Sequence, residues 1–581
     1  MALISGAEAL VHCLVQEDVR YIFGVPGDQC NPITDAIYRL GKSRGMSFIT
    51  VRHEQAAAHM ADAWARVTGQ PGVCLGTVGP GVADLTPGVY PAWADSVPMI
   101  ILGAQNQTWR CYPDTGATQA LAQVPLMAPI TKWQALVNDA RRMPQMVQMA
   151  FRTALSGRPA PVYLDLPSNV LCDKVNTADC PILPPQRYRA MVQPMADPSL
   201  VEQAADMLAR ARWPLIHAGG GVLRAGAWKE VLGLAEHLSA PVTTSLGARG
   251  VIPEDHRLCL IQGTPGAYKV QAEADVVLLV GGRLGDLDFW GRVPIWGEVD
   301  TQHFIQLDID PQNIALNRPI DLALIGDARS TLRTLLDDLK ARTKPRPENP
   351  GFQEARQAQQ EWLNGWEQGA HSDSVPIHPL RLMHEVRQFF PRNAICAVDG
   401  GNTAVWANYE NRIYEPRSFL WAADSGHLGS GVPYAIGAKL ARPDVPVYCI
   451  TGDGSFGFNA MEMETAAREK TPIVVIIAND RSWGMIKGGQ KLVYQERYCG
   501  VDLSDARYDK LAQALGCYGE RVTEPTQIRP ALQRAMESGL PAVLDVIVDQ
   551  EVHLVPPDLV LLDSIWMEGC DVAGAVCEPP Q

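Results

Sequence analysis

The chain of 581 residues has no cysteines paired as Cys-x-x-Cys, no surplus of positive charge and no long apolar run. Its 13 cysteines are scattered, which argues against a disulfide framework or a zinc site and for free thiols in a reducing compartment. A formal net charge of -14 makes nucleic acid and anionic membrane unexpected partners. No segment approaches the roughly 20 apolar residues that a membrane-spanning helix needs. The chain opens on Leu3-Ile4-Ser5-Gly6, without a basic-then-apolar leader, so a cytoplasmic protein is expected. Hydrophobic residues at 46% and charged residues at 20% are ordinary for a globular protein with ample core.

What the chain does have is strand-like runs alternating with helical patterns, the mark of parallel α/β layers. Residues 159–167 read as the last strand of a first domain spanning 1–172. Residues 173–198, rich in Pro and polar side chains, read as linker. A central domain is expected over 190–340, with apolar strands at 213–218, 274–280 and 303–308 ending in Gly or Asp turns. A second linker, charged and rich in Gln and Pro, covers 341–376. A third domain covers 376–550. The expected fold is three consecutive doubly wound parallel-sheet domains. The tail 551–581 is too apolar to stay free; it packs over a site mouth or against a neighbouring domain.

The most informative stretch is Gly452-Asp453-Gly454-Ser455, followed by a helical segment, the apolar run 473–478 and Asn479-Asp480-Arg481-Ser482-Trp483-Gly484. It reads as strand, tight turn, helix, strand and loop. Loops at the carboxyl ends of adjacent parallel strands are where such sheets bind ligands. Asp453 and Asp480 would supply hard oxygen donors for Mg²⁺ or Ca²⁺ anchoring a diphosphate. Gly-Asp-Gly by itself is an ordinary turn. Its weight comes from a distant segment, Arg52-His53-Glu54-Gln55, where Glu54 opens an Ala-rich helix. A carboxylate there also complements the helix dipole, whatever else it does.

Together these segments resemble the thiamine-diphosphate-dependent enzymes, and the resemblance runs in the family's order over roughly residues 3 to 550. It implies that Glu54 holds the aminopyrimidine ring and promotes formation of the C2 ylid, with the cofactor supplying the hard chemistry. It also implies a pyrimidine-binding first domain and a diphosphate-binding third domain around a Rossmann-like centre. Asp453, Asp480 and the Ser482 carbonyl would bind Mg²⁺, and Asp480 stands where the family usually has Asn. Gly454, Ser455, Trp483, Gly484 and Met485 would line the cofactor on that side, and Gly401, Asn402 and Thr403 on the other. Leu428 would wedge under the bent cofactor, with the Gly426 carbonyl facing the aminopyrimidine. The family builds its site between subunits, which implies a homodimer at least and points to a homotetramer. Some members hold FAD or a coenzyme A nucleotide in the central domain and others leave it empty. Gly219-Gly220-Gly221 lacks the full dinucleotide spacing.

Within the family the domain order resembles acetohydroxyacid synthase, benzaldehyde lyase and 2-hydroxyacyl-CoA lyase. Gln119 matches a glutamine that several of these place beside the reacting carbon. Gly489 replaces the tryptophan that selects a 2-oxo acid acceptor, and residues 284–287 lack the arginine that grips its carboxylate. These departures imply a carbon–carbon lyase or carboligase acting on 2-hydroxy acyl substrates, with an acetolactate-synthase-like decarboxylating carboligase of 2-oxo acids as the alternative. A silent assembly subunit is a third reading, disfavoured by the presence of Glu54, Asp453 and Leu428. Candidate proton shuttles are His53, Gln119, Gln29 and Glu496. Glu496 reads equally as a solvated loop carboxylate, and His427, beside Leu428, as a structural histidine.

Overall fold

A computed structural model describes residues 3–111 and 113–557. Among these, three parallel sheets follow one another along the chain. The first has six strands in the spatial order Ser47–Thr50, Tyr21–Gly24, Gly72–Gly76, Met99–Gln105, Pro161–Pro167 and Trp133–Leu136. The central sheet has five: Val242–Thr244, Pro214–Ala218, Val276–Val280, His303–Asp308 and Leu322–Ile325. The third again has six: Phe419–Leu420, Ile395–Asp399, Val447–Gly452, Val474–Asn479, Ala542–Ile547 and Tyr518–Val522. Most strands are buried on both faces, which is why they read as continuous apolar runs rather than alternating ones.

The first and third sheets each have a private hydrophobic core and share another. Phe23, Cys74 and Ile101 of the first sheet belong to the same apolar cluster as Ala397, Cys449 and Val475 of the third. Ile22, Leu75 and Leu102 face a core of the first domain alone, while Cys396, Tyr448 and Ile476 face one of the third. The shared layer is filled by helices Glu54–Thr68 and Gly431–Ala441, packed on each other. Their contact is close because the facing residues are small. A Cβ on Gly437 would stand 2.6 Å from the Met60 carbonyl oxygen. The charged groups in this layer are paired: Arg66 donates to Asp62 at 2.7 Å and to Asp95 at 2.6 Å, and the Tyr434 hydroxyl donates to Asp62. Burial without such partners would cost several kcal/mol, on the order of 3–5.

Two stretches that read as linkers are structured. Within 173–198, Lys174–Asn176 pairs antiparallel with Leu3–Ser5, and Cys180 is buried. Within 341–376, Pro350–Gly365 is a helix that buries Phe352 and Ala355 against the central domain. Local composition hid both, because a three-residue pairing has no readable period and the helix is polar on most of its surface. No helix among the described residues is long and apolar enough to cross a membrane. The eleven cysteines among them, from Cys13 to Cys517, are all free.

Candidate active site

The amino-terminal half of the site is built on the strand Ser47–Thr50 and the turn after it. Glu54 is the first residue of its helix, capped by His53, whose Nδ1 accepts from the Gln55 amide at 3.2 Å. That bond assigns His53 a capping task. The turn is held from the third domain: Glu462 accepts from the Arg52 amide at 2.9 Å and the His53 amide at 3.1 Å. Burial pushes Glu462 up to about 7. Glu54 is only 8% exposed. Burial lifts its carboxyl above the usual range and Asp84 adds to the shift, against its own helix amide and His53. Gly81 keeps this place open, since a Cβ there would lie 3.0 Å from Glu54 Oε1. The result is a desolvated carboxyl that takes a proton more readily than a surface glutamate, which suits a ligand ring nitrogen.

Gln119 lies exposed on a neighbouring loop in the left-handed region, φ 63°. Its backbone is close-packed, for a Cβ at Gly79 would stand 2.4 Å from the Gln119 carbonyl oxygen. Gln29 is half-buried in the turn Asp28–Cys30. Glu496 is exposed on a loop at φ 59°.

The carboxyl-terminal half lies at the ends of strands Val447–Gly452 and Val474–Asn479. Asp453 begins a short helix and is 1% exposed; its Oδ2 has no partner among the described residues. Burial and the facing Asp480 push Asp453 up to about 8. Asp480, 2% exposed, is instead held low: burial opposes this, but His553 and Ser482 favour the anion. Its Oδ1 accepts from the Ser482 amide at 3.1 Å, and its Oδ2 from Ser482 Oγ at 2.9 Å and from His553 Nδ1 at 2.8 Å. The loop carries strain at Arg481, φ 58°. Trp483 lies against Gly454, where a Cβ would come within 2.7 Å of the indole. Met485, at the start of helix Gly484–Val493, packs on Gly401 in the same way.

On the opposite side, Asn402 and Thr403 open helix Asn402–Glu410, and the buried Asn402 Oδ1 has no partner. Ser455 is buried beside Gly400. The loop carrying Leu428 is clamped by Asp399, which accepts from the Gly429 amide at 3.2 Å and the Gly431 amide at 2.8 Å. Asn459 Nδ2 donates to the Gly429 carbonyl at 2.6 Å. Leu428 is half-buried between these clamps, and Gly426, at φ 61°, is exposed. The His427 ring lies 5.2 Å from, and tilted 60° to, that of His59, a fully buried imidazole with neither nitrogen paired among the described residues.

These groups fit a cation and a diphosphate. Two buried carboxylates face each other, and Asp453 Oδ2 and Asn402 Oδ1 are left without protein partners. No group of three or more His, Cys, Asp or Glu suited to a metal occurs among the described residues, so ligand oxygens would have to complete the coordination. The groups that shift Glu54 are Asp84 and His53, whereas those that shift Asp453 are Asp480 and its own turn.

Sequence reasoning missed His553, Glu462 and the Asp399 clamp as parts of this arrangement. The apolar tail was noticed, but its residues 558–581 lie outside the described residues. The seven described residues before them include the histidine that reaches Asp480.

Family comparisons match the three domains in order. Residues 4–126 match the N-terminal TPP binding domain of thiamine pyrophosphate enzymes, 201–335 the central domain and 399–546 the C-terminal TPP binding domain. The chain is 34% identical to a probable acetolactate synthase large subunit of Methanococcus aeolicus, over 97% of this chain and 95% of that one. It is 30% identical to the acetolactate synthase isozyme 3 large subunit of Escherichia coli, over 98% and 99%. With all three domains matched in order and similarity running end to end, the chain belongs to the thiamine pyrophosphate enzymes, in the acetohydroxyacid synthase group.

Proposed function

We propose that the protein is a thiamine-diphosphate- and Mg²⁺-dependent carboligase of the acetolactate synthase type, taking a 2-oxo acid as donor, releasing CO₂ and passing the acyl fragment to an acceptor carbonyl. The observation that carries this is the end-to-end similarity to acetolactate synthase large subunits together with a buried Glu54 at a helix start. When bound, thiamine diphosphate supplies a carbon nucleophile and an electron sink. Glu54 would hold a proton at the aminopyrimidine ring. Asp453, Asp480 and the Ser482 carbonyl would hold the metal, while Asn402 and Thr403 orient the phosphates. Leu428, fixed by Asp399 and Asn459, would set the cofactor's bend.

A lyase or carboligase acting on acyloin or 2-hydroxyacyl-CoA substrates is the second reading, favoured by Gly489 and by the absence of arginine in 284–287. Leu287 lines the central-domain cavity in that stretch. Purified protein with thiamine diphosphate and Mg²⁺, offered pyruvate, benzoin-type ketones and 2-hydroxyacyl-CoA thioesters, separates the two. CO₂ and an acyloin from pyruvate support the synthase. Aldehyde release from the other substrates, with pyruvate inert, supports the lyase.

The central cavity, about 860 Å³, opens at the carboxyl ends of Pro214–Ala218, Val276–Val280 and His303–Asp308 and reaches Arg158 of the first domain. Six arginines, Arg224 among them, line it beside six aspartates, so phosphate groups would find arginine partners there. A nucleotide diphosphate such as FAD or a coenzyme A fragment fits that chemistry. A homodimer with sites across the interface, and a homotetramer built from such dimers, rest on the resemblance to the family. Free cysteines support a reducing, cytoplasmic setting.

A further inference from the structure

The turn Gln550–His553 lies outside every motif that marks the cofactor site, yet it fastens both loops that flank that site. His553 Nδ1 bonds Asp480 Oδ2 at 2.8 Å, and its Nε2 lies 3.2 Å from Thr403 Oγ1. The His553 carbonyl accepts from Asn402 Nδ2 at 3.1 Å and from Trp406 Nε1 at 3.2 Å. Gln550 Nε2 donates to the Asp480 carbonyl at 2.7 Å. The imidazole is 3% exposed and tightly fitted. A Cβ on Gly484 would come within 2.7 Å of Asp480 Oδ2 and 3.3 Å of His553 Nδ1.

We infer that His553 is a positioning residue for the metal-side carboxylate, and that Asp480 and His553 together replace the single neutral amide that the family usually has at position 480. An amide oxygen offers a cation one neutral donor and adds no charge beside the phosphates. An aspartate adds a second buried anion next to Asp453 and can rotate between equivalent oxygens. The His553 donor on Oδ2, beside Ser482 Oγ, stabilises that charge. Together with the Ser482 amide on Oδ1 it also fixes the carboxylate plane, leaving one set of lone pairs for a cation. His553 thereby ties the metal loop to the Asn402–Thr403 side, so both flanks of a diphosphate are set by one side chain. This inference rests on Asp453 and Asp480 being the metal-side pair.

The test is a Mg²⁺ titration of cofactor-free protein with thiamine diphosphate present, read by tryptophan fluorescence, since Trp483 lies on Gly454. Apo-protein melting serves as a fold control. H553A is expected to raise the Mg²⁺ midpoint about 10-fold or more. H553N, which keeps a side-chain N–H near the Nδ1 position, is expected to stay within about threefold of the unmodified protein. In a D480N background, H553A should shift the midpoint less than about threefold, because no anion is left to balance. An equal shift in both backgrounds, or none in the unmodified one, overturns the inference. If H553A does not accumulate folded, H553Q in both backgrounds gives the same comparison. If D453N keeps its Mg²⁺ response, the metal assignment itself falls, and this role for His553 with it.

Discussion

The first and third sheets have the same connectivity: numbered along the chain within each sheet, both run 2-1-3-4-6-5 in space. Equivalent positions are equipped differently. After the second strand, the first domain places the buried carboxyl of Glu54, whereas the third places the loop of Leu428. After the third strand, the first domain has the Gly79–Gly81 turn, and the third has Asp453. On the proposed function, one scaffold used twice would separate proton handling from anion anchorage. The lone carboxyl needs only desolvation. The paired carboxylates need a cation, with His553 and Ser482 to keep one of them ionised.

That division of labour can be broken at either end. E54Q is expected to lower turnover about 10²- to 10⁴-fold with cofactor affinity little changed, whereas D453N should lose Mg²⁺-dependent cofactor binding itself. Stopped turnover assays and equilibrium dialysis distinguish the two, and equal loss of both properties in both variants would erase the contrast. Mixing the two inactive proteins sharpens it. If each site takes Glu54 from one subunit and Asp453 from the other, random reassociation should restore about a quarter of normal activity. A mixture that stays inactive would put both residues in one chain's site.

The contact between the equivalent helices is the next target. G437A places a methyl against the Met60 carbonyl and should cost about 1–3 kcal/mol, measured by urea denaturation. A smaller, pH-dependent effect belongs to Glu462. Burial raises it from 4.5 to about 7, so the folded state binds its proton more tightly than the unfolded chain. The stability from that proton is complete below pH 4.5 and is lost as pH rises through 7. E462Q keeps an acceptor for the Arg52 and His53 amides and should remove about 2 kcal/mol of this pH dependence. Urea midpoints at pH 5 and 8 that move in parallel for both proteins would refute it.

Much of the architecture was legible because α/β alternation is a local pattern. Apolar runs such as 473–478 are buried on both faces and cannot be mistaken for surface. Glu54 and the Gly452–Gly454 turn stood out for the same reason, each sitting within a short strand–turn–helix passage. His553 could not be found that way. Its partner is 73 positions away, and a single histidine in an apolar tail carries no spacing. Glu462 is more remote still, 410 positions from the amide it holds. The pairing of Leu3–Ser5 with Lys174–Asn176 was hidden by its three-residue length.

The apolar layer common to the outer sheets has a consequence for biosynthesis. Residues 196–355 can close their own core as they leave the ribosome, since that cluster draws on no residue outside them. Helix Glu54–Thr68 of the amino-terminal domain must wait with its outer side uncovered until helix Gly431–Ala441 has been made, more than 360 residues later. Truncation anywhere before that helix should therefore leave a sticky fragment rather than a smaller working part.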